Sequence, residues 1–165
     1  MAPLLLWLLL QADLLSPHGE KATVLIFTRT DCPISNRYAP EIQRLYRKYS
    51  AERVNFRLVY PERDLSEEAM QQHRREYGYP MPALLDPAHA YVSRAHARTT
   101  PEAAVFANGQ LVYHGRIDDR YIDLTRAKQQ ADKHDLEDAL SAVLAGRSPA
   151  IHETRAIGCA IEDLE

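Results

Sequence analysis

The chain has 165 residues, a length that suits one domain with a sizeable core. With 45% hydrophobic residues, 26% charged residues and a net charge of −3, its composition is that of an ordinary globular protein and argues against electrostatic capture of nucleic acid or anionic lipid. Two cysteines, Cys32 and Cys159, are too few for a disulfide-stapled scaffold or a four-thiolate zinc site.

The N-terminal residues 3–10 form an apolar run too short for a stable membrane span. Its length fits the apolar centre of an export signal, although no Lys or Arg precedes it and the small-residue cleavage pattern is poor. The favoured reading is a leader within residues 1–18 and a periplasmic or other extracytoplasmic protein. The alternative is an apolar extension packed on the domain of a cytoplasmic protein. Export would place the chain where disulfides persist.

Next, "ATVLIF" at residues 22–27 is a continuous apolar, β-branched run, predicting a strand buried on both faces. Ile34, Tyr38, Ile42, Leu45 and Tyr49 recur at helical spacing, with Pro33 suited to the first turn and Pro40 placed to kink the helix. "VNFRLVY" predicts a second strand. The following helix has Asp64 and Glu67 in capping-box spacing, with Leu65, Ala69, His73 and Tyr77 on one face. A short strand at 83–85 and a short helix at 89–97 lead to Thr100 and Pro101. "EAAVFANGQLVYHG" then reads as a hairpin around Asn108-Gly109. A last amphipathic helix presents Leu136, Leu140, Val143 and Leu144 inward and stops at Gly146. Strands alternating with helices imply parallel pairing, and the hairpin adds an antiparallel edge. The expected class is α/β, a three-layer sandwich with helices on both faces of a mixed sheet.

Cys32 ends the first strand and starts the first helix. The partial positive charge and unpaired N–H donors of a helix N-terminus stabilise a thiolate. The bland alternative is a small buried core residue. Ser35 occupies the position where a Cys-x-x-Cys motif would carry its second cysteine. An adjacent carboxylate, Asp31, opposes the thiolate.

The run of strand, "DCPIS", kinked helix, "TTPEAAVF", hairpin and final helix resembles the thioredoxin superfamily, over most of the chain. The longer spacing between Cys32 and Pro101, with "GRIDDRY" and the late "GCAI", resembles its redoxin branch, which includes peroxiredoxins and cytochrome-maturation thioredoxins. The resemblance implies a cis Thr100-Pro101 peptide beside the reactive cysteine, with Pro101 as platform for an extended substrate and the adjoining peptide free to pair with it. Pro33, Ser35 and Thr100 would border that substrate. The peroxiredoxin pattern Pro-x-x-x-Thr-x-x-Cys is not met, since its slots hold Leu25 and Arg29, and a copper-delivering Cys-x-x-x-Cys would need a cysteine at Asn36.

Outside this motif, Arg116, Asp118 and Asp119 read either as a loop of solvated ion pairs or as a polar wall near the thiol. The seven histidines have no metal spacing with another histidine or cysteine and read as surface or partly buried groups. Neither a metal nor a cofactor is expected. Residues 19–147 form the expected redoxin domain, and residues 148–165 a tail carrying Cys159. That cysteine is either a thiol packed under an apolar tail or the resolving partner of Cys32, because a monothiol caught in a mixed disulfide needs a second thiol for release. The expected function is thiol–disulfide exchange with a protein or small-molecule partner and an external thiol reductant or oxidant. A non-catalytic binding module using the groove beside Pro101 is the alternative, and a thiol peroxidase is the weakest reading.

Overall fold

The computed structural model describes residues 13–15, 17–162 and 164; the apolar run at 3–10 lies outside them. Strand β1 (Ala22–Phe27) is buried along its whole length. Its alternating side chains feed two apolar clusters, with Ala22, Val24 and Ile26 in one and Leu25 and Phe27 in the other. It pairs in parallel with β2 (Val54–Tyr60), which pairs in parallel with β3 (Ala83–Leu85). On its other side it pairs antiparallel with β5 (Glu102–Ala107), the first arm of a hairpin with β6 (Gln110–Gly115). The five strands run in the order β3-β2-β1-β5-β6. Asn108 and Gly109 both take positive φ, 51° and 75°, as a hairpin turn matching the sheet's right-handed twist requires.

Helices cover both faces of this sheet. The larger cluster takes residues from α1 (Pro33–Arg37), α2 (Ala39–Tyr49), α3 (Glu67–Glu76) and α5 (Asp135–Leu144). The second takes Val92 and Ala95 from α4 (Ala90–Ala95), together with Leu15 from the N-terminal segment. The expected single first helix is two helices meeting at Tyr38, because Pro40 has no N–H to continue the first ladder. Its stripe is nonetheless buried from Ile34 to Tyr49. The cap of α3 corrects the expectation. Ser66, with extended backbone directly before the first turn, accepts from the Ala69 N–H at 3.1 Å, so the helix begins at Glu67 without Asp64. The buried face of α3 is Met70 with His73. Helix α4 is shorter than expected, ending against left-handed His89 and His96, and buried Asp86 accepts the N–H groups of Ala90, Tyr91 and Val92.

Beyond α5 the tail wraps the rest of the domain through backbone pairing. His114 donates its N–H to the His152 carbonyl and accepts from Thr154 N–H. Further on, β7 (Cys159–Ala160) pairs antiparallel with β4 (Thr99–Thr100). Ile161 then buries itself in the second cluster.

Candidate functional site

The apolar run of β1 stops at Phe27, and the chain crosses a short turn before Pro33 opens α1. Cys32 is therefore the N-cap of α1, with extended backbone (φ −90°, ψ 108°) and no exposed surface. Its Sγ accepts from the Ser35 N–H at 3.5 Å and lies 3.1 Å from the Thr100 carbonyl oxygen. Cys32 is bonded to Cys159, with the two Cα atoms 6.0 Å apart, inside the range that a disulfide spans. The structure thus joins the two cysteines and excludes Cys159 as a separate thiol packed under the tail.

The Thr100–Pro101 peptide is cis, and both residues are buried. The expectation of a free edge at Thr100 needs correction. In the bonded state that edge is paired with Cys159 of the tail, because the disulfide and strand pairing bring the two backbones together. The Thr100 Oγ1 also donates to the Cys159 carbonyl at 3.4 Å. Pro33 is exposed at the first position of α1, whereas Ser35 is buried and its hydroxyl finds no partner among the described residues. At position 35 it is the backbone, not the hydroxyl, that meets the sulfur. Asp31 is exposed and turns to Arg29, whose Nε donates to it at 3.0 Å. The same guanidinium donates to the Ala160 carbonyl at 3.2 Å and clamps the tail.

The three residues of the candidate polar wall sit in separate pairings. Arg116 donates to Asp135 at 2.6 Å. Asp118 accepts from the buried Tyr38 hydroxyl at 2.5 Å; burial, reinforced by this carboxylate, pushes that hydroxyl well above its ordinary pKa. Arg116 and Asp118 both border a small hollow with Pro101, Tyr38, Tyr121 and Ile157, whereas Asp119 does not line it. Asp119 holds the 120–133 loop through Lys128 Nζ and the N–H groups of Asp132 and Lys133, with Lys128 drawing its carboxyl down.

Glu102 and His73 support the site although their sequence context assigns them no role in it. Buried Glu102 accepts from the N–H groups of Arg98 and Thr99 at 2.9 and 3.0 Å, fixing β4, and burial raises its carboxyl pKa. Its signal was an acidic residue opening an apolar strand directly after Pro101. His73, which the helical spacing sets on one face with Leu65, Ala69 and Tyr77, is buried. Its ring nitrogens sit 2.8 Å from the Tyr60 hydroxyl and 2.9 Å from Asn36 Oδ1, while Asn36 Nδ2 donates to the Thr30 carbonyl at 3.2 Å. Because Asn36 Oδ1 can only accept, Nε2 carries the proton and Nδ1 accepts from Tyr60. This chain of bonds steadies the turn that carries Cys32, and burial lowers the histidine's pKa.

Among the described residues, Glu41, His134 and Glu137 are the grouping with ligand atoms close enough for an ion, and both carboxylates there are engaged by Arg44. No helix of the described residues is long and apolar enough to cross a membrane.

An uncharacterized conserved protein from Geobacillus kaustophilus matches this structure with a TM-score of 0.76 and 28% identity, over 87% of this chain and 77% of that one. A hypothetical protein from Sinorhizobium meliloti matches with a TM-score of 0.74 and 23% identity, over 88% and 81%. A secreted disulfide oxidoreductase from Mycobacterium tuberculosis, described as homologous to E. coli DsbE, shares the fold at a TM-score of 0.51 and 19% identity, over 77% and 83%. No curated protein matches the chain. The fold is that of the thioredoxin superfamily. The profile of the AhpC/TSA family matches residues 11–114, well over half of the sequence, and the chain belongs to that family.

Proposed function

We propose that this protein is a thiol–disulfide oxidoreductase that alternates between the Cys32–Cys159 disulfide and the dithiol, in an extracytoplasmic compartment. The observation that carries the reading is the bond itself, which joins the N-cap cysteine of α1 to the tail cysteine beside the cis Thr100–Pro101 peptide. In the dithiol form, the Cys32 thiolate attacks a partner disulfide. A Cys32–partner disulfide forms, and the partner's other sulfur leaves as a thiolate that takes up a proton. The Cys159 thiolate then attacks Cys32 Sγ and restores the internal bond. The partner's remaining sulfur departs, so the partner gains two electrons and the protein loses them. An external dithiol resets the protein, and every step runs in reverse with a partner of opposite poise. Export is supported by the disulfide, which persists in oxidising compartments, and by likeness to a secreted protein.

Peroxide reduction has less support, despite the family. The slot for the peroxiredoxin threonine holds Arg29, whose guanidinium is committed to Asp31 and the tail. A passive module needs an open groove at Thr100, and in the bonded state the tail fills it.

The reading is tested with the reduced protein and a chromogenic aryl disulfide. The wild type should release two aryl thiolates and close its own disulfide, while Cys159→Ser should release one and stop as a mixed disulfide on Cys32. A wild type that also stops at the mixed disulfide would overturn Cys159 as the resolving thiol.

A further inference from the structure

We infer that the tail is a built-in template of the partner, and that the segment exchanging with Cys32 is an extended peptide of the pattern Gly-Cys-x-apolar. This rests on the exchange chemistry proposed above and adds to it the substrate class. Cys159 bonds to the same sulfur that a partner cysteine would occupy, so its surroundings record what that position accepts. Strand β7 joins β4 as an added antiparallel strand, with Thr100 opposite Cys159 and Thr99 opposite Ala160. The Ile161 N–H extends the pairing to the Arg98 carbonyl at 2.9 Å. These backbone bonds set register without reading side chains.

Side chains are read at two positions. A Cβ at Gly158 would run into the Thr100 carbonyl, and into the Pro101 nitrogen at 3.1 Å. Gly158 is not among the positive-φ glycines, so space and not backbone conformation demands glycine there. The Thr100 carbonyl has little room to yield, since Thr100 is fully buried and the carbonyl oxygen lies against Cys32 Sγ. Two residues after the cysteine, Ile161 is buried with Leu25, Phe27 and Val92. Between them Ala160 is exposed, which leaves that position permissive. A partner cysteine preceded by a bulky residue would meet the wall that Gly158 avoids. One lacking an apolar residue two places on would forgo the socket filled by Ile161. The tail and such a partner compete for one edge, so closure of the internal disulfide expels the partner strand as well as its sulfur.

The test uses the reduced full-length Cys159→Ser protein and the peptide Arg-Ala-Ile-Gly-Cys-Ala-Ile, its cysteine activated as a mixed disulfide with nitrothiobenzoate. Analogues carry Val for Gly or Ser for the final Ile, and each rate is normalised to the same peptide's reaction with free cysteine. The template peptide should react about tenfold faster than the Val analogue, the scale of a small overpacking penalty, and faster than the Ser analogue. Equal normalised rates, with the aryl disulfide still reacting, overturn the template and leave the exchange chemistry standing. No reaction with the aryl disulfide overturns both. Gly158→Val in the otherwise native chain gives an independent reading, free of the Cys159 substitution. Its internal disulfide should be more easily reduced in glutathione buffers, by about tenfold in the equilibrium constant. An unchanged equilibrium contradicts the inference.

Discussion

The two cysteines of the site are held by different means. Cys32 belongs to the larger apolar cluster, fully buried between β1 and α1, and the elements around it are fixed by side chains packed from both faces of the sheet. Cys159 lies 127 residues further on, half-buried, in a segment whose described residues form no helix. That segment is held by the disulfide, backbone pairing at His114 and Thr100, the Arg29 clamp, and the burial of Ile161. Packing makes the first half a platform that does not adjust. Point contacts make the second half the strap that the proposed cycle would release once the covalent bond is cut. The division suits an exchange cycle in which one sulfur stays fixed and the other moves.

The comparison breaks most visibly if the strap is cut. Cys159→Ser removes a crosslink closing a separation of 127 residues and should lower urea-measured stability by about 5 kcal/mol relative to the oxidised wild type, on the chain-entropy account. A loss under about 1 kcal/mol would mean that the unfolded chain gains little freedom without the bond. On the platform side, Leu25→Ala empties a fully buried position and should cost about 3 kcal/mol in the oxidised and reduced proteins alike. A cost confined to one redox state would show that the platform shifts after all.

Smaller effects sharpen the contrast. Thr154 binds the strap to the hairpin, its Oγ1 accepting from the Arg116 N–H at 3.0 Å and sharing a hydrogen bond with the Tyr113 hydroxyl at 2.7 Å. Thr154→Ala should cost about 1 kcal/mol in the same unfolding measurement, well short of the core substitution. Equality with Leu25→Ala would place the tail within the core. The least effect expected is at His73. Burial lowers its pKa below the ordinary 6.5, so the unfolded chain takes up a proton before the folded one. Stability at this residue is therefore full above pH 6.5 and falls as pH drops from there toward the lower folded value. His73→Gln should flatten that part of the stability–pH profile, and an unaltered slope would count against a neutral, buried imidazole.

The platform was legible in the sequence because packing leaves a pattern. The β1 run, the helical spacing from Ile34 to Tyr49 and the Asn108-Gly109 turn each have a side-chain or conformational signature, and the observed elements match them closely. The cap of α3 was missed by two residues because Asp64 and Ser66 are both competent caps, and only the backbone conformation chooses between them. The strap was only half legible. Its glycine and cysteine stood out, but its pairing with β4 and His114 is made by backbone groups, which carry no residue code. The role of His73 is hidden in the sequence for a related reason. A lone histidine shows its environment only when Tyr60 and Asn36, distant in sequence, arrive beside it.

The central claim is that Cys32 and Cys159 form one reversible two-electron couple. It is met most directly by equilibrating the native protein across a series of thiol–disulfide buffers, trapping free thiols by alkylation and measuring intact mass and the labelled sites. The account predicts that both cysteines become labelled together along a single two-electron curve, with no buffer thiol retained on either. A Cys32 that carries buffer thiol while Cys159 remains free, or a bond that no buffer in the series can open, would contradict it.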